Sequence, residues 1–310
     1  MSIKNKLALS FVVLLLLMQG CQTGAENKEI TGETMTIEHK LGSTEVAEKP
    51  SRIVVLDIGA LETMHILGVK PVGIPKKYMP EYLSELKDDD NIADVGSVIK
   101  PDFEAISALN PEVILISTRQ ERFYEELTEI APTIFVGTDS KDYIPSFKRN
   151  TMIVAQIVDR EDEAVEKLKV LEKKMTDAQA RFSKDENKAL FLIYNNGRFS
   201  AFGKGSRFGF IHDVLGMKPV MEFNDESVHG QRISNELLAE ANPDYLFIID
   251  RNAVVLDKVS NKAEIENPLL QQTKAFKNGK IFYLDPNVWF ISGGGLLSVD
   301  LMLDDVVALF

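Results

Sequence analysis

Short apolar runs alternate with segments of helical periodicity along the chain beyond residue 50. The apolar runs lie at residues 53–57, 71–74, 113–117 and 133–136, and helical segments lie at 62–67, 81–87, 103–109 and 121–130. Apolar runs of this length separated by helices predict a mostly parallel sheet that is covered by helices on both faces. The first part of the chain is therefore predicted to be an α/β lobe.

A long segment from Pro145 to residue 182 interrupts this alternation, because it contains no strand pattern. Its apolar residues recur at helical spacing, which predicts one long or slightly broken amphipathic helix with Pro145 in its first turn. The alternation then resumes at residues 189–194, 210–215, 236–241, 245–250 and 280–284, and a final helix starts near Leu297. We therefore predict two Rossmann-like α/β lobes with mostly parallel sheets, joined by one long helix, with a ligand cleft between the lobes.

The two predicted lobes contain an internal repeat. Residues 103–116 and 235–248 each have a helix with Glu in its first turn, an Asn-Pro break and a buried strand. At the same offset, Arg119 follows the first strand and Arg251 follows the second. Because open α/β sheets bind ligands at the carboxyl ends of their strands, each lobe is predicted to place an arginine at the ligand crevice. The alternative is that such helix–strand units recur by chance in an α/β protein.

The first twenty residues have the pattern of a secretory signal peptide. Two lysines precede an apolar run of twelve residues, which is short for a permanent membrane span. Gly20 then precedes Cys21, as in a bacterial lipoprotein whose cysteine carries a diacylglyceryl group, and two acyl chains make a stable anchor. Residues 18 and 19 depart from the usual lipoprotein pattern, which leaves an ordinary cleaved signal with a nearby cysteine as the alternative.

The domain organisation follows from these patterns. Residues 22–35 are polar and acidic, as expected of a flexible tether. We predict an extracytoplasmic protein that is anchored by lipid to a membrane, either in a periplasm or on the outer face of the cytoplasmic membrane. The predicted segments are a signal peptide over 1–20, a lipid-anchored flexible linker over 21–48, an N-terminal lobe over 49–143, a connecting helix over 144–183 and a C-terminal lobe over 184–310.

Composition excludes several classes of function. The 310 residues carry a formal net charge of −12, which argues against nucleic acid as a partner because such binding needs a basic face. One cysteine excludes an intrachain disulfide and any multi-cysteine zinc or iron–sulfur site. Because G-x-S-x-G, Walker A and H-E-x-x-H motifs are absent from the sequence, we expect no catalytic residues and a protein that is not an enzyme. An extracytoplasmic enzyme stays an alternative of a different class.

Six sequence segments, taken in order, resemble one known family. They are VVLDIGALETMHILGV (54–69), ISTR (116–119), FGKGSRFG (202–209), HGQRISNELL (229–238), NPDYLFIIDR (242–251) and YLDPNVWFISGGG (283–295). Over about residues 45–310, the chain resembles the class III solute-binding lipoproteins of bacterial ABC importers. It is most similar to the branch that binds ferric catecholate siderophores of the enterobactin and petrobactin kind. The resemblance implies a monomer without an intrinsic cofactor that delivers a ferric siderophore to an ABC permease after modest lobe closure.

The resemblance also implies a set of ligand-binding arginines. A ferric tris-catecholate is a trianion, and the branch uses three arginines that match Arg119, Arg207 and Arg251. Arginine suits this ligand because it stays charged, donates in a fork to paired oxygens and stacks on aromatic rings. Remote surface carboxylates are screened over about 8–10 Å, so an acidic chain is compatible with a basic pocket. Surface salt bridges are the alternative for each arginine, and Arg198 and Arg232 are lower-ranked candidates.

The iron-coordinating residues depart from the family pattern. His229 matches a loop histidine that coordinates Fe(III) directly in the family when a siderophore supplies only four donor oxygens, although a loop histidine can also be merely exposed. A tyrosine commonly follows the tryptophan of this motif, but here Phe290 follows Trp289 and has no oxygen donor. Either His229 and water complete the coordination of the iron, or the siderophore supplies all six donor atoms. Trp289 and Phe290 are then candidates for stacking on catechol rings or for the core, while Tyr124 and Tyr194 are alternative phenols.

Two carboxylates match the positions at which each lobe of such proteins docks on the permease. These are Glu104 and Glu236, and one charge on each lobe would orient the loaded protein and increase its association rate. The alternative is that each Glu only complements the dipole at the start of its helix. Other cargoes for the same fold are haem, cobalamin or a bare divalent metal, but three arginines disfavour cobalamin and one well-placed histidine is few for a bare metal.

Overall fold

The computed structural model describes residues 33–223 and 230–310. The predicted signal peptide, Cys21 and His229 lie outside the described residues. Within the described ranges, no helix combines the length and the apolar character that crossing a membrane requires.

A β-hairpin opens the described chain, built from β1 (Thr34–His39) and β2 (Gly42–Ala47). Ile37 and Val46 are 2% and 0% exposed and join the core of the first sheet. The first strand of the hairpin also contacts the strand Thr133–Phe135 of that sheet. The flexible linker predicted over 21–48 is therefore wrong for residues 34–47. The prediction failed because only one residue of each strand is buried, and polar neighbours on both sides hide this alternation.

The first sheet and its helices follow the hairpin. In chain order the elements are β3 (Ile53–Val55), α1 (Ile58–Ile66), β4 (Gly73–Ile74), α2 (Ser84–Lys87), β5 (Ala93–Asp94), β6 (Gly96–Ser97), β7 (Lys100–Pro101), α3 (Phe103–Ala108), β8 (Val113–Ile116), α4 (Tyr124–Thr128) and β9 (Thr133–Phe135). The sheet has five strands in the order β5-β4-β3-β8-β9, and every pairing is parallel. Short 3-10 turns precede α2 and α4, so the predicted helices at 81–87 and 121–130 are each split into two pieces.

The connecting segment consists of two helices, α5 (Tyr143–Ile157) and α6 (Glu161–Phe182), so the predicted long helix is of the broken kind. The break falls at Asp159, whose φ of 56° is left-handed and ends a right-handed helix. Each helix buries one face against the sheets and exposes the other, as the helical spacing predicts. Val165 is an exception, since it is 37% exposed although it lies in the apolar pattern.

The second sheet and its helices make up the rest of the described chain. The elements are β10 (Lys188–Asn195), β11 (Arg198–Phe202), α7 (Phe210–Asp213), β12 (Lys218–Pro219), β13 (Gln231–Ile233), α8 (Asn235–Ala241), β14 (Tyr245–Asp250), α9 (Arg251–Val255), α10 (Lys262–Ile265), α11 (Lys274–Lys277), β15 (Ile281–Tyr283), a π-helix (Asn287–Ile291) and α12 (Leu296–Val307). The strand order is β13-β11-β10-β14-β15, and the short strand β12 also pairs with β10. The pairings of β10 with β12, of β10 with β14 and of β14 with β15 are parallel, whereas β11 and β13 add an antiparallel edge. The protein thus has the predicted two-sheet α/β architecture, while the lobe boundaries stay predictions.

The internal repeat has the same geometry in both copies. Helices α3 and α8 lead through a left-handed asparagine, Asn110 with φ 47° and Asn242 with φ 48°, into the buried strands β8 and β14. Both strands lie next to the first parallel strand of their sheet, β3 or β10. The two copies therefore place equivalent residues at the carboxyl edges of the two sheets, where open α/β sheets bind ligands.

Candidate functional site: an arginine cluster

The three predicted arginines follow the ends of strands. Arg119 lies three residues beyond β8, and Arg251 is the first residue of α9, directly after β14. Arg207 lies in the loop between β11 and α7. The side chain of Arg251 also donates from Nη1 to Oδ1 of Asn195, at the end of β10, over 3.4 Å. The strand ends of both sheets therefore supply the cations.

All three arginines converge on Phe290, which lies in the π-helix. Nη2 of Arg119 and Nη2 of Arg207 donate to the Phe290 carbonyl oxygen over 3.0 and 2.7 Å. The guanidinium carbons of Arg207 and Arg251 lie 5.1 and 5.6 Å from the centroid of the Phe290 ring, in cation–π geometry. We call Arg119, Arg207, Arg251 and Phe290 the arginine cluster. Through its carbonyl oxygen and its ring, Phe290 thus contacts all three guanidinium groups.

Among the described residues, no carboxylate forms an ion pair with the arginine cluster. None of the ion pairs within the described residues includes Arg119, Arg207 or Arg251. Desolvation lowers the pKa of Arg119, and the nearby Asp57 carboxylate opposes this shift. Desolvation, and then the charge of Arg119, lower the pKa of Arg207. The pKa of Arg207 is about 9, so its guanidinium group is charged at neutral pH.

The two predicted aromatic candidates have different environments. Phe290 is half-buried and stacks on Phe208, with ring planes 7° apart and centroids 6.3 Å apart. Trp289 is only 2% exposed, and its indole Nε1 donates to Oδ2 of Asp305 over 2.9 Å. Trp289 therefore belongs to the core of the second sheet, whereas Phe290 presents its ring to the arginines.

A small cavity of about 60 Å³ lies beside Arg207. Thr138, Tyr143 and Ser292 contribute polar groups to its lining, and Trp289 closes one side. Pockets that enclose small organic ligands usually measure about 300–1,000 Å³. A ligand of that size must therefore widen the space around Arg207 or bind on the open side of the cluster.

The predicted docking carboxylates are both exposed. Glu104 lies in the first turn of α3, whose N-terminus is capped by Asp102, and Glu236 lies in the first turn of α8, which is capped by Ser234. Neither Glu104 nor Glu236 takes part in an ion pair that the described residues form. A helix that precedes a parallel strand begins at the edge where that strand ends, so both carboxylates lie on the arginine side of the sheets.

The described histidines are engaged elsewhere in the fold. His212 is 4% exposed and its Nδ1 lies 2.9 Å from the Met217 carbonyl oxygen, His65 lies 3.1 Å from Glu85, and His39 lies 2.8 Å from Thr44. Residues 33–223 and 230–310 hold no group of three His, Cys, Asp or Glu side chains that could bind a metal ion.

Within the described residues, the lower-ranked candidates form no hydrogen bond, ion pair or ring contact with the arginine cluster. Tyr124 contacts the ring of His39, and Tyr194 is buried against Phe199. Arg198 and Arg232 occupy exposed positions on the antiparallel strands β11 and β13. The structure thus brings together the three arginines and Phe290, but not these four residues.

The sequence patterns did not predict one buried carboxylate. Glu62 of α1 is 0% exposed, and it accepts hydrogen bonds from the Tyr82 hydroxyl and from the backbone N–H of Ser298. Residues 58–64 are all buried, so a single acid in an otherwise apolar helix was an available signal.

The fold and the cluster together define an α/β protein that groups three arginines at the carboxyl ends of its strands. The profile of the family described as periplasmic binding protein matches residues 53–288, so the chain belongs to this family of binding proteins.

Several characterised proteins are similar over nearly the whole chain. Petrobactin-binding protein YclQ of Bacillus subtilis is 38% identical, with 97% of this chain and 98% of the relative covered. Ferric-anguibactin-binding protein FatB of Vibrio anguillarum is 35% identical, with 94% of each covered. The crystal structure of YclQ superposes with a TM-score of 0.86 at 40% identity, covering 89% of this chain and 98% of that one. The siderophore-binding protein BauB, bound to two acinetobactin molecules and ferric iron, has a TM-score of 0.83 at 37% identity, covering 88% and 97%.

Proposed function

We propose that this protein binds a ferric siderophore of the catecholate type outside the cytoplasm and delivers it to the permease of an ABC importer. The observation that carries the proposal is the convergence of Arg119, Arg207 and Arg251 on Phe290 without a paired carboxylate among the described residues. Three guanidinium groups match the charge of a ferric tris-catecholate, and their planes suit catechol oxygens and rings. Relatives named for petrobactin and ferric anguibactin support the same ligand class.

The binding step follows from the chain's own groups. Arg119 and Arg207 donate to a carbonyl oxygen in the structure. The same N–H groups can donate instead to a siderophore, because its negatively charged oxygens are stronger acceptors than a carbonyl. The Phe290 ring, stacked on Phe208, supplies an apolar surface for a catechol ring. The role of the protein is to bind and release its cargo, and Cys21 is the proposed lipid anchor of a monomer on the membrane.

Ligand titration with tryptophan fluorescence tests this function, because Trp289 is the single tryptophan of the chain and adjoins Phe290. We expect saturable quenching by a ferric tris-catecholate, with weaker binding of a neutral ferric hydroxamate, haem and cobalamin. The reason is that only the trianion neutralises all three guanidinium groups. Tightest binding of the neutral hydroxamate would overturn the proposal, and tightest binding of haem would reassign the cargo.

The same titration tests which groups complete the coordination of the iron. Phe290 offers no oxygen donor, so a siderophore with six donors needs no side chain, whereas one with four donors needs His229 or water. A ferric bis-catecholate should therefore bind more weakly than the tris-catecholate. If both bind equally, His229→Ala should weaken only the bis-catecholate complex.

Docking on the permease is proposed for Glu104 and Glu236, which are exposed and lie one in each repeat. Replacing both with Gln should reduce siderophore uptake by cells about tenfold, since complementary charges mainly set association and orientation. Affinity for the ferric siderophore should not change, because neither residue belongs to the arginine cluster. The exposed helix residue Glu240 supplies a matched control, Glu240→Gln. Unchanged uptake in the double variant would remove these carboxylates from docking.

A further inference from the structure

Glu62 is a buried carboxylate without a cationic partner among the described residues. Its Oε2 accepts from the backbone N–H of Ser298, in the first turn of α12, over 2.8 Å, and its Oε1 accepts from the Tyr82 hydroxyl over 2.5 Å. An acid at this place interacts favourably with the positive end of the α12 dipole. Glu62 therefore links α1 to the first turn of α12.

The same contact fixes the turn before α12. We call residues Ser292, Gly293, Gly294 and Gly295 the glycine turn. The Ser298 hydroxyl accepts from the backbone N–H groups of Gly294 and Gly295, each over 3.1 Å, and lies 3.2 Å from the Ser292 hydroxyl. On the other side, the Tyr143 hydroxyl donates to the Gly293 carbonyl over 2.7 Å.

The glycine turn also packs closely on the helix that carries Glu62. A Cβ atom on Gly59 would meet the backbone of Gly294 at 2.7 Å, and one on Gly295 would meet Oε2 of Glu62 at 2.4 Å. Such close approach leaves little room for the turn to move while Glu62 keeps its hydrogen bonds. The turn begins two residues after Phe290, whose carbonyl lies between Arg119 and Arg207.

We propose that Glu62 is a positioning residue: its ionised carboxylate holds the glycine turn, and thereby keeps the Phe290 carbonyl in the arginine cluster, where this carbonyl competes with ligand oxygens. Protonation of Glu62 weakens its hold on the backbone N–H of Ser298, because a neutral acid is a poorer acceptor than a carboxylate. The Phe290 carbonyl then competes less with the oxygens of the anionic ligand. This inference rests on the proposed siderophore function and adds a control of the same site by pH.

The pKa of Glu62 lies in the range in which pH could control the site. Burial raises the pKa of Glu62 to about 7, although hydrogen bonds from Ser292, Ser298 and Tyr82 favour the carboxylate. The other titratable groups that face it are phenols: the pKa values of Tyr82 and Tyr143 are raised far above neutrality, first by burial and then by the charge of Glu62. Asp285 acts on Tyr82, and His65 lies one turn further along α1 but pairs with Glu85. Glu62 is therefore the group expected to change charge between mildly acidic and mildly basic pH.

Comparing Glu62→Gln with the unmodified protein tests the inference. The affinity for a ferric tris-catecholate is measured between about pH 5.5 and about pH 8, and the ratio of the two dissociation constants cancels the ligand's own protonation. Glutamine mimics the neutral acid, so the variant should bind about fivefold tighter at the basic end, within the usual range of coupling between linked sites. The ratio should approach one at the acidic end. A ratio that does not change with pH would overturn the inference.

A control variant separates positioning from stability. Thr63→Val removes the hydroxyl that accepts from the backbone N–H of Leu296 on the same face of α1, over 3.4 Å, but introduces no titratable change. It should lower the melting temperature and leave the pH profile of affinity as it is. If Thr63→Val changes the profile as Glu62→Gln does, Glu62 acts only through general stability and the inference fails.

A measurement without ligand keeps the inference separate from the proposed function. Trp289 adjoins Phe290, so its emission should show a transition near neutral pH that Glu62→Gln abolishes and His65→Gln retains. Asp305, which accepts from the indole, has its pKa raised by burial, and Asp305→Asn identifies its share of the signal. If no siderophore binds but this transition appears, the proposed function fails and the coupling of Glu62 to the π-helix holds. If the transition is absent, the coupling is refuted whatever the ligand.

Discussion

Replacing Arg207 with glutamine is expected to weaken binding of a ferric tris-catecholate by about 10- to 100-fold. Hydrogen bonds to charged groups contribute about 1.5–3 kcal/mol each, and about 1.4 kcal/mol corresponds to a factor of ten in affinity. Arg207 donates to the same carbonyl oxygen as Arg119 and lies over the rings of Phe208 and Phe290, so it supplies both charge and stacking. Isothermal titration calorimetry at fixed salt concentration measures the change.

The same substitution should leave the folded state as stable as before, or make it more stable. Arg207 and Arg119 are like charges held together, and the charge of Arg119 lowers the pKa of Arg207. Removing one of them relieves this repulsion, as expected of groups arranged for binding rather than for stability. Arg198→Gln on β11 is the matched control, because Arg198 is exposed and lies outside the cluster. Loss of affinity equal to that of Arg198→Gln, or a marked drop in melting temperature, would contradict the role of Arg207.

Much of the architecture could be predicted from the sequence because buried strands and amphipathic helices leave periodic patterns. The repeat also predicted that Arg119 and Arg251 follow equivalent strands, and β8 and β14 confirm this. The sequence also carries the signal of a hairpin: Asn196 and Gly197 have φ of 48° and 78° and form the two-residue turn between β10 and β11. Asn-Gly between β-rich runs favours such a hairpin.

Other parts of the site could not be predicted, for physical reasons. The acceptor shared by Arg119 and Arg207 is a backbone carbonyl, which every residue carries, so the identity of Phe290 says nothing about it. The role of Trp289 depended on which side of the π-helix faces the core, and the irregular geometry of a π-helix is not encoded in a helical repeat. The partners of Glu62 come from segments distant in sequence, and only the folded chain brings Ser298 to this carboxylate.

The close packing of the glycine turn against α1 leads to the prediction with the largest effect on stability. In Gly59→Ala, the new Cβ atom would lie 2.7 Å from the carbonyl carbon of Gly294 and 2.9 Å from the backbone nitrogen of Gly295. Both contacts are with backbone atoms, so no side chain can move aside, and α1 must separate from the turn. We expect the free energy of unfolding to fall by about 2–3 kcal/mol, in spite of the better helix propensity of alanine. Urea unfolding monitored by circular dichroism measures it.

Gly294→Ala is the matched control on the opposite side of the same turn. Its Cβ atom would approach only the side chain of Thr138, at 3.2 Å from Cγ2, and a rotation of that side chain can relieve the contact. The free energy of unfolding should therefore change by less than about 1 kcal/mol. Because the turn connects α12 to the π-helix, Gly59→Ala should also displace the Phe290 carbonyl and alter the emission of Trp289, whereas Gly294→Ala should not. Equal destabilisation by the two substitutions would mean that the approach of α1 to Gly294 does not hold the turn in place.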